Sequence, residues 1–173
     1  VHVVLRELEP ADAVDLEAVL GDPEVMRYGF LRTPQECAAF VAEARDMYAE
    51  YGLGPYAICV GDDPALVGYC ALRRGLDWQA EDEVEIGYRL VRRMWGKGLA
   101  TVAATQARDL AFGVHGAGRL LAAIDPNNTA SIRVAERIGM RHDGEIMFPE
   151  YDYPDLRFTM SLDDWRSLTG PPG

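Results

Sequence analysis

Nine residues, Arg92-Arg93-Met94-Trp95-Gly96-Lys97-Gly98-Leu99-Ala100, gather three cations and two glycines between a strand-like and a helix-like stretch. Upstream, Val84, Ile86, Tyr88 and Leu90 alternate with Glu83, Glu85, Gly87 and Arg89, the period of a strand. Downstream, Leu99, Val102, Ala103, Gln106 and Leu110 recur at helical spacing. A strand, a glycine-bearing loop and a helix start aim unsatisfied backbone N–H groups at one spot, and the helix dipole adds positive charge there. Glycine lets a ligand approach the backbone. The fitting guest is an anion of the pyrophosphate kind. Two common phosphate loops are excluded. A Walker loop needs glycine where Val91 stands and Ser or Thr where Gly98 stands, and a dinucleotide fingerprint needs glycine at Thr101.

The flanking elements follow from local patterns. VHVVLREL reads as a first strand. Pro10 and Asp12 open a helix with Val14, Leu16, Val19 and Leu20 apolar, closed by Gly21. Thr33-Pro34-Gln35-Glu36 is a capping box with proline at the first helical position. Its helix carries Phe40, Val41, Ala44, Met47, Tyr48 and Tyr51 up to Gly52. PYAICV and LVGYCALRR flank the turn GDDPA as an antiparallel pair. RLLAAI is a buried strand, Asn128 caps a helix that stops at Gly139, and MRHDGEIMF and LRFTMSL are closing strands around PEYDYPD. The order β-α-α-β-β-β-α-β-α-β-β predicts a mixed sheet with helices on both faces. No repeat or linker divides it, so residues 1–173 read as one domain, with a core over 3–162, a tail over 163–173 and a frayed TGPPG end.

Arg93-Met94-Trp95-Gly96-Lys97-Gly98 fits the (Gln/Arg)-x-x-Gly-x-(Gly/Ala) loop of the GNAT N-acetyltransferases. EIGYRL…WGKGLAT, NNTASIRVAERIGM, GDPEVMRY and the helix after Thr33 resemble the RimJ/RimL-type branch, which includes ribosomal-protein N-terminal acetyltransferases. The likeness spans about Val3 to Met160. It implies an α/β GNAT-type fold, a mostly antiparallel seven-stranded sheet with splayed central strands. It implies acetyl-CoA as acyl donor, its pyrophosphate cradled by the amides from Arg93 through Trp95, Gly96, Lys97, Gly98 and Leu99 to Ala100. Leu90 and Val91 would bond the pantetheine arm in a β-like manner, and Asn128 would contact it. One departure stands out: many relatives carry a tyrosine seven residues after that asparagine, as the acid that protonates the thiolate, and here the slot is Ala135. Ser131, three residues after Asn128, takes the acid role, or the thiolate leaves unaided, or the serine only caps the helix or bonds the cofactor.

Acetyl transfer to an amine needs a neutral amine, so a carboxylate must take its proton. The oxyanion needs a donor, for which an N–H at the splayed strand end serves. A thiol of pKa about 8.5 is a fair leaving group, so an acid helps only modestly. Glu85 is the first choice of base, since it lies beside Gly87, where missing bulk leaves room for substrate. Glu83 shares its face and is the nearest substitute. Glu150 and Asp152, on a loop expected to overhang the acceptor site, are further candidates for the base. Tyr28 and Phe30 are expected on one side of the acceptor, Tyr151 and Tyr153 on the other. His2, His115 and His142 have no partner at useful spacing, and no residues stand at metal-ligand spacing.

Bulk composition narrows the partners. With 28 acids against 17 bases the formal net charge is -11, the wrong sign for a general nucleic-acid binder. An acidic field favours a cationic acceptor, though it also simply aids solubility. The family resemblance implies a protein or peptide N-terminus as the first-choice acceptor, with a small amine such as a polyamine or aminoglycoside as its rival; an open cleft would favour the first and an enclosed acidic pocket the second. The alternative is an acyl-CoA-binding sensor or interaction domain without turnover. Cys37, Cys59 and Cys70 form no CxxC motif, which fits a reducing compartment. The opening VHVVLRELEP is too short and too soon charged for a secretory segment, and no apolar run spans a bilayer. A cytoplasmic protein, monomer or homodimer, is expected.

Overall fold

The computed structural model describes residues 2–170. Its strands are β1 (Val3–Glu7), β2 (Pro55–Val60), β3 (Asp63–Arg73), β4 (Glu83–Leu90), β5 (Arg119–Ile124), β6 (Arg141–Ile146) and β7 (Asp155–Ser161). They form one seven-stranded sheet in the order β1-β2-β3-β4-β5-β7-β6. Five helices accompany it: α1 (Ala13–Leu20), α2 (Pro34–Tyr51), α3 (Leu99–Gly113), α4 (Thr129–Arg137) and α5 (Leu162–Thr169). The order of the expected strands and first four helices is the observed one. Every residue of β3 from Leu66 to Leu72 is buried, so helices cover both faces of the central sheet.

All neighbouring strands pair antiparallel except β4 and β5, which are parallel. That parallel ladder is short: Glu83↔Arg119, Val84↔Leu120 and Glu85↔Leu121. Beyond Glu85, β4 runs on against β3 as far as Leu90, while β5 runs on against β7 as far as Ile124. The two strands therefore part at mid-sheet and leave a gap whose edges carry unpaired backbone groups, an opening that something must fill.

Three sequence expectations are corrected. Val14 is 71% exposed, because α1 presents only Leu16, Val19 and Leu20 to the core; helical phase outweighs hydropathy here. Val102 likewise lies on the solvent side of α3, whose buried face is built from Leu99, Ala103, Ala104, Ala107, Ala111 and Phe112. The segment after residue 162 is not a plain tail. Ser161 and Asp164 form a capping box that starts α5, and Trp165 docks it on α3 by stacking on Phe112 at 5.4 Å and donating to Asp109 at 2.8 Å. Of TGPPG, Thr169 ends α5, while Pro171, Pro172 and Gly173 lie outside the described residues.

Candidate active site

The loop between β4 and α3 begins with a 3-10 turn over Arg92–Met94. Met94 N–H donates to Val91 O and Trp95 N–H to Arg92 O. The chain then turns through two glycines in left-handed conformation, Gly96 at φ 72 and Gly98 at φ 75, which side-chain-bearing residues adopt only with strain. A Cβ at either position would meet nothing within 4 Å, so conformation rather than crowding requires glycine. Among the described residues, the N–H groups of Gly96, Lys97, Gly98, Leu99, Ala100 and Thr101 have no acceptor. All of these residues but Lys97 line a cleft of about 460 Å³ with Leu90, Trp95, Asn128, Ser131 and the cations Arg27, Arg133 and Arg137. Donor N–H groups, a helix N-terminus and positive side chains suit a polyphosphate.

At its inner end the cleft meets a second chamber of about 440 Å³. Tyr28, Tyr88, Arg89, Asn128 and Ser131 line both, so they mark the junction where the strands part. Asn128 Oδ1 accepts the Ser131 N–H at 3.2 Å, and the Tyr88 hydroxyl donates to Ser131 O at 2.7 Å. Ser131 is thus held by both backbone groups, while its own hydroxyl has no partner among the described residues. Burial pushes the Tyr88 phenol far up, so it stays protonated.

The second chamber is lined by carboxylates, arginines and a cluster of aromatic rings. Glu85 lines it without an ion-pair partner among the described residues; burial raises its pKa and nearby Arg73 opposes that rise. Asp125 and Asp155 stand at the far wall, and burial and the Asp125 charge push Asp155 up. Phe30 stacks on Tyr151 at 5.9 Å, Tyr151 meets Phe148 edge-on at 6.4 Å, and Phe148 meets Trp78 edge-on at 5.3 Å. Tyr28 Oη also donates across the gap to Asn127 O at 3.1 Å. Aromatic contacts thus tie together the loops before α2, after β3 and after β6.

A family model for the acetyltransferase (GNAT) domain matches residues 2–141. The chain belongs to the GNAT acetyltransferase family. It is 34% identical over 152 residues to the protein YkkB of Bacillus subtilis, covering 84% of this chain and 85% of that one. It is 32% identical over 150 residues to an N-acetyltransferase of Bacillus licheniformis, p20, covering 83% and 81%. An aminoglycoside acetyltransferase AAC(6')-Ib solved with coenzyme A superposes with a TM-score of 0.83 at 19% identity, over 98% of this chain and 100% of that one; that likeness is one of fold.

Within this GNAT domain, the residues expected from sequence are placed as follows. Leu90, Trp95, Gly96, Gly98, Leu99, Ala100, Asn128 and Ser131 line the first cleft. Arg93 and Lys97 do not, and both residues are exposed. Val91 is a correction. It is buried, its N–H donates to Val67 O and its carbonyl accepts from Met94 N, so strand pairing and the 3-10 turn consume the groups expected to meet the cofactor. Leu90 O is likewise engaged, by the Trp95 indole N–H at 2.8 Å. The amides of Met94 and Trp95 drop out of the cradle for the same reason, and the free row begins at Gly96. In the second chamber, Tyr28, Phe30, Glu85, Glu150 and Tyr151 are brought together. Glu83 is a second correction: its carboxylate accepts from Ala80 N at 3.0 Å and faces Arg157 at 3.3 Å, which anchors the start of β4 away from the chamber. Asp152 lies outside the lining, and Tyr153 reaches the wall only by donating to Asp125 at 2.7 Å. Arg73, Tyr88, Arg89, Asp125 and Asp155 were not singled out from sequence. Alternation places Arg89 on the Glu85 face of β4, but only the strand order brings β3, β5 and β7 alongside.

Proposed function

We propose that this protein is an acetyl-CoA-dependent N-acetyltransferase whose acceptor is the primary amine of a small molecule. The observation that carries the reading is the continuous passage from the unpaired amides of Gly96–Thr101, through the β4–β5 gap, to the Glu85 chamber. Acetyl-CoA, when bound, supplies an acyl group on a thioester. The chain's own groups do the rest. Gly96 to Thr101 hold the diphosphate, with Arg27, Arg133 and Arg137 around it. The open edges of β4 and β5 hold the arm. Ser131, at the junction, offers its free hydroxyl to the departing sulfur. Glu85 takes a proton from the acceptor ammonium. Most of the rate then comes from orientation in the cleft.

A small acceptor is favoured over a protein N-terminus because Glu85, Asp125 and Asp155 converge on one chamber of about 440 Å³, with the rings of Phe30, Tyr151, Phe148 and Trp78 clustered beside it. AAC(6')-Ib, of like fold, has been solved with coenzyme A and kanamycin, a small amine. The RimJ/RimL-type kinship is proposed on the EIGYRL…WGKGLAT, NNTASIRVAERIGM and GDPEVMRY segments and the helix after Thr33. A reducing, cytoplasmic setting is proposed from the free, buried state of Cys37, Cys59 and Cys70. No helix among the described residues is long and apolar enough to cross a membrane. The test is thiol release from acetyl-CoA with a panel of small amines and N-terminal peptides. Release with small amines and none with peptides is expected. Tight coenzyme A binding with no release for any acceptor would make the protein a sensor instead.

A further inference from the structure

The second chamber holds opposite charges that do not pair. On the β3–β4 side stand Arg73, Arg89 and, from the segment before α2, Arg32; on the far side stand Asp125, Glu150 and Asp155. Arg89 donates to neutral groups, Tyr69 Oη at 3.1 Å and Val25 O at 3.4 Å. Arg32 lies 5.2 Å over the Phe40 ring. Arg73 is the exception. It is half-buried and sits opposite Glu85 in the β3–β4 register. Among the described residues its guanidinium has neither a hydrogen-bond acceptor nor a carboxylate within 4.0 Å. It stands over the bare backbone of Gly87, where a Cβ would come no nearer than 4.0 Å to its Nη1.

A half-buried guanidinium carries five donors in a planar fork, and that fork matches a carboxylate or phosphate. Among the described residues Asp155 and the exposed Glu150 have no side-chain partner either, and Asp125 accepts only from Tyr153 and Asn127. A purely cationic acceptor would answer one wall and be repelled by the other. We infer, building on the acetyltransferase reading, that the acceptor is amphoteric: its amine faces Glu85 and the Asp125–Asp155 wall, and a carboxylate or phosphate a few bonds away is held by Arg73. The aromatic cluster gives such a molecule an apolar surface to lie against, as the side chain of an apolar amino acid would.

Matched ligand pairs test this by titration calorimetry, with coenzyme A present so that no transfer occurs. Phenylalanine against phenethylamine reads a carboxylate, and phosphoethanolamine against ethanolamine reads a phosphate. The anionic member of at least one pair should bind at least about tenfold tighter than its partner, and the pair that discriminates names the anion. Arg73→Gln should remove that difference while the neutral-tailed amine keeps its affinity within about twofold, and Arg73→Lys, a cation without the fork, should fall between. Because Arg73 also acts on Glu85, the ratio within a pair is the reading, since a changed Glu85 charge moves both members alike. Equal binding within both pairs, no binding by any of the four, or an Arg73→Gln loss shared equally by both members overturns the inference. Thiol release from acetyl-CoA in parallel samples judges the enzyme reading separately: discrimination without release would sink that reading and leave this one standing.

Discussion

At the scale of single residues, Glu85 and Ser131 hold different kinds of promise. Burial lifts the Glu85 carboxyl and Arg73 restrains the lift. A base with a raised pKa is ionised only at higher pH, so kcat/KM should fall as pH drops through that raised value. Glu85→Gln should lower kcat about 10- to 1000-fold and erase that acid limb; a pH–rate profile that kept its limb would place the base elsewhere. Ser131 is fixed through its backbone by Asn128 and Tyr88, which leaves its hydroxyl as the one free polar group of that residue. Ser131→Ala should therefore reduce kcat by about 3- to 30-fold with coenzyme A affinity nearly unchanged, as expected for a modest acid at a good leaving group. Weakened coenzyme A binding with unchanged kcat would make the serine a cofactor contact.

At the scale of elements, the β4–α3 junction and α5 show two ways in which short sequences set geometry. Gly98 is the N-cap of α3 in left-handed conformation. Gly98→Ala should cost about 1 kcal/mol of stability through backbone strain and displace the free amides, so coenzyme A affinity should drop at least about tenfold. Denaturant unfolding and calorimetry read the two effects separately, and a stability loss with full affinity would argue against the amide cradle. Trp165 ties helix α5 to α3 through one stacking contact and one hydrogen bond. Trp165→Ala should cost about 2–3 kcal/mol, with acetyl transfer at low temperature intact, because α5 lies outside both cavities.

At the scale of the whole molecule, a sheet whose two central strands part is incompletely paired until something occupies the gap. Coenzyme A binds the folded protein and not the unfolded chain, so at 100 times its Kd it should stabilise by about 2.7 kcal/mol. For a chain of this size that is a rise of roughly 5–11 °C in Tm, read by differential scanning fluorimetry. Dephosphorylated, truncated pantetheine at the same concentration should raise it far less, since it leaves the amide row unmet. The net charge of -11 does not oppose a polyanion locally, because Arg27, Arg133 and Arg137 line the cleft and charges beyond about 10 Å are screened by salt.

The amino-acid order alone determined whatever depends on neighbours along the chain. The strand, the two-glycine loop and the helix start were legible because φ preference, capping and period act over a few residues. Asn128 was legible as the cap of α4 because capping is local, whereas the roles given to Asn128 and Ser131 rest on the family resemblance. Tertiary structure alone decided what those groups face. Val91 carries the right neighbours in sequence, yet β3 and the 3-10 turn take both its backbone groups. Glu83 shares a face with Glu85, yet Arg157 of β7 claims it. The walls of Arg73 and Asp155 meet only because β3 and β7 flank the parting strands. The physical reason is that a side chain's charge, partners and solvent are set by whatever packs against it, and those partners are chosen by the global pairing of strands rather than by any local preference.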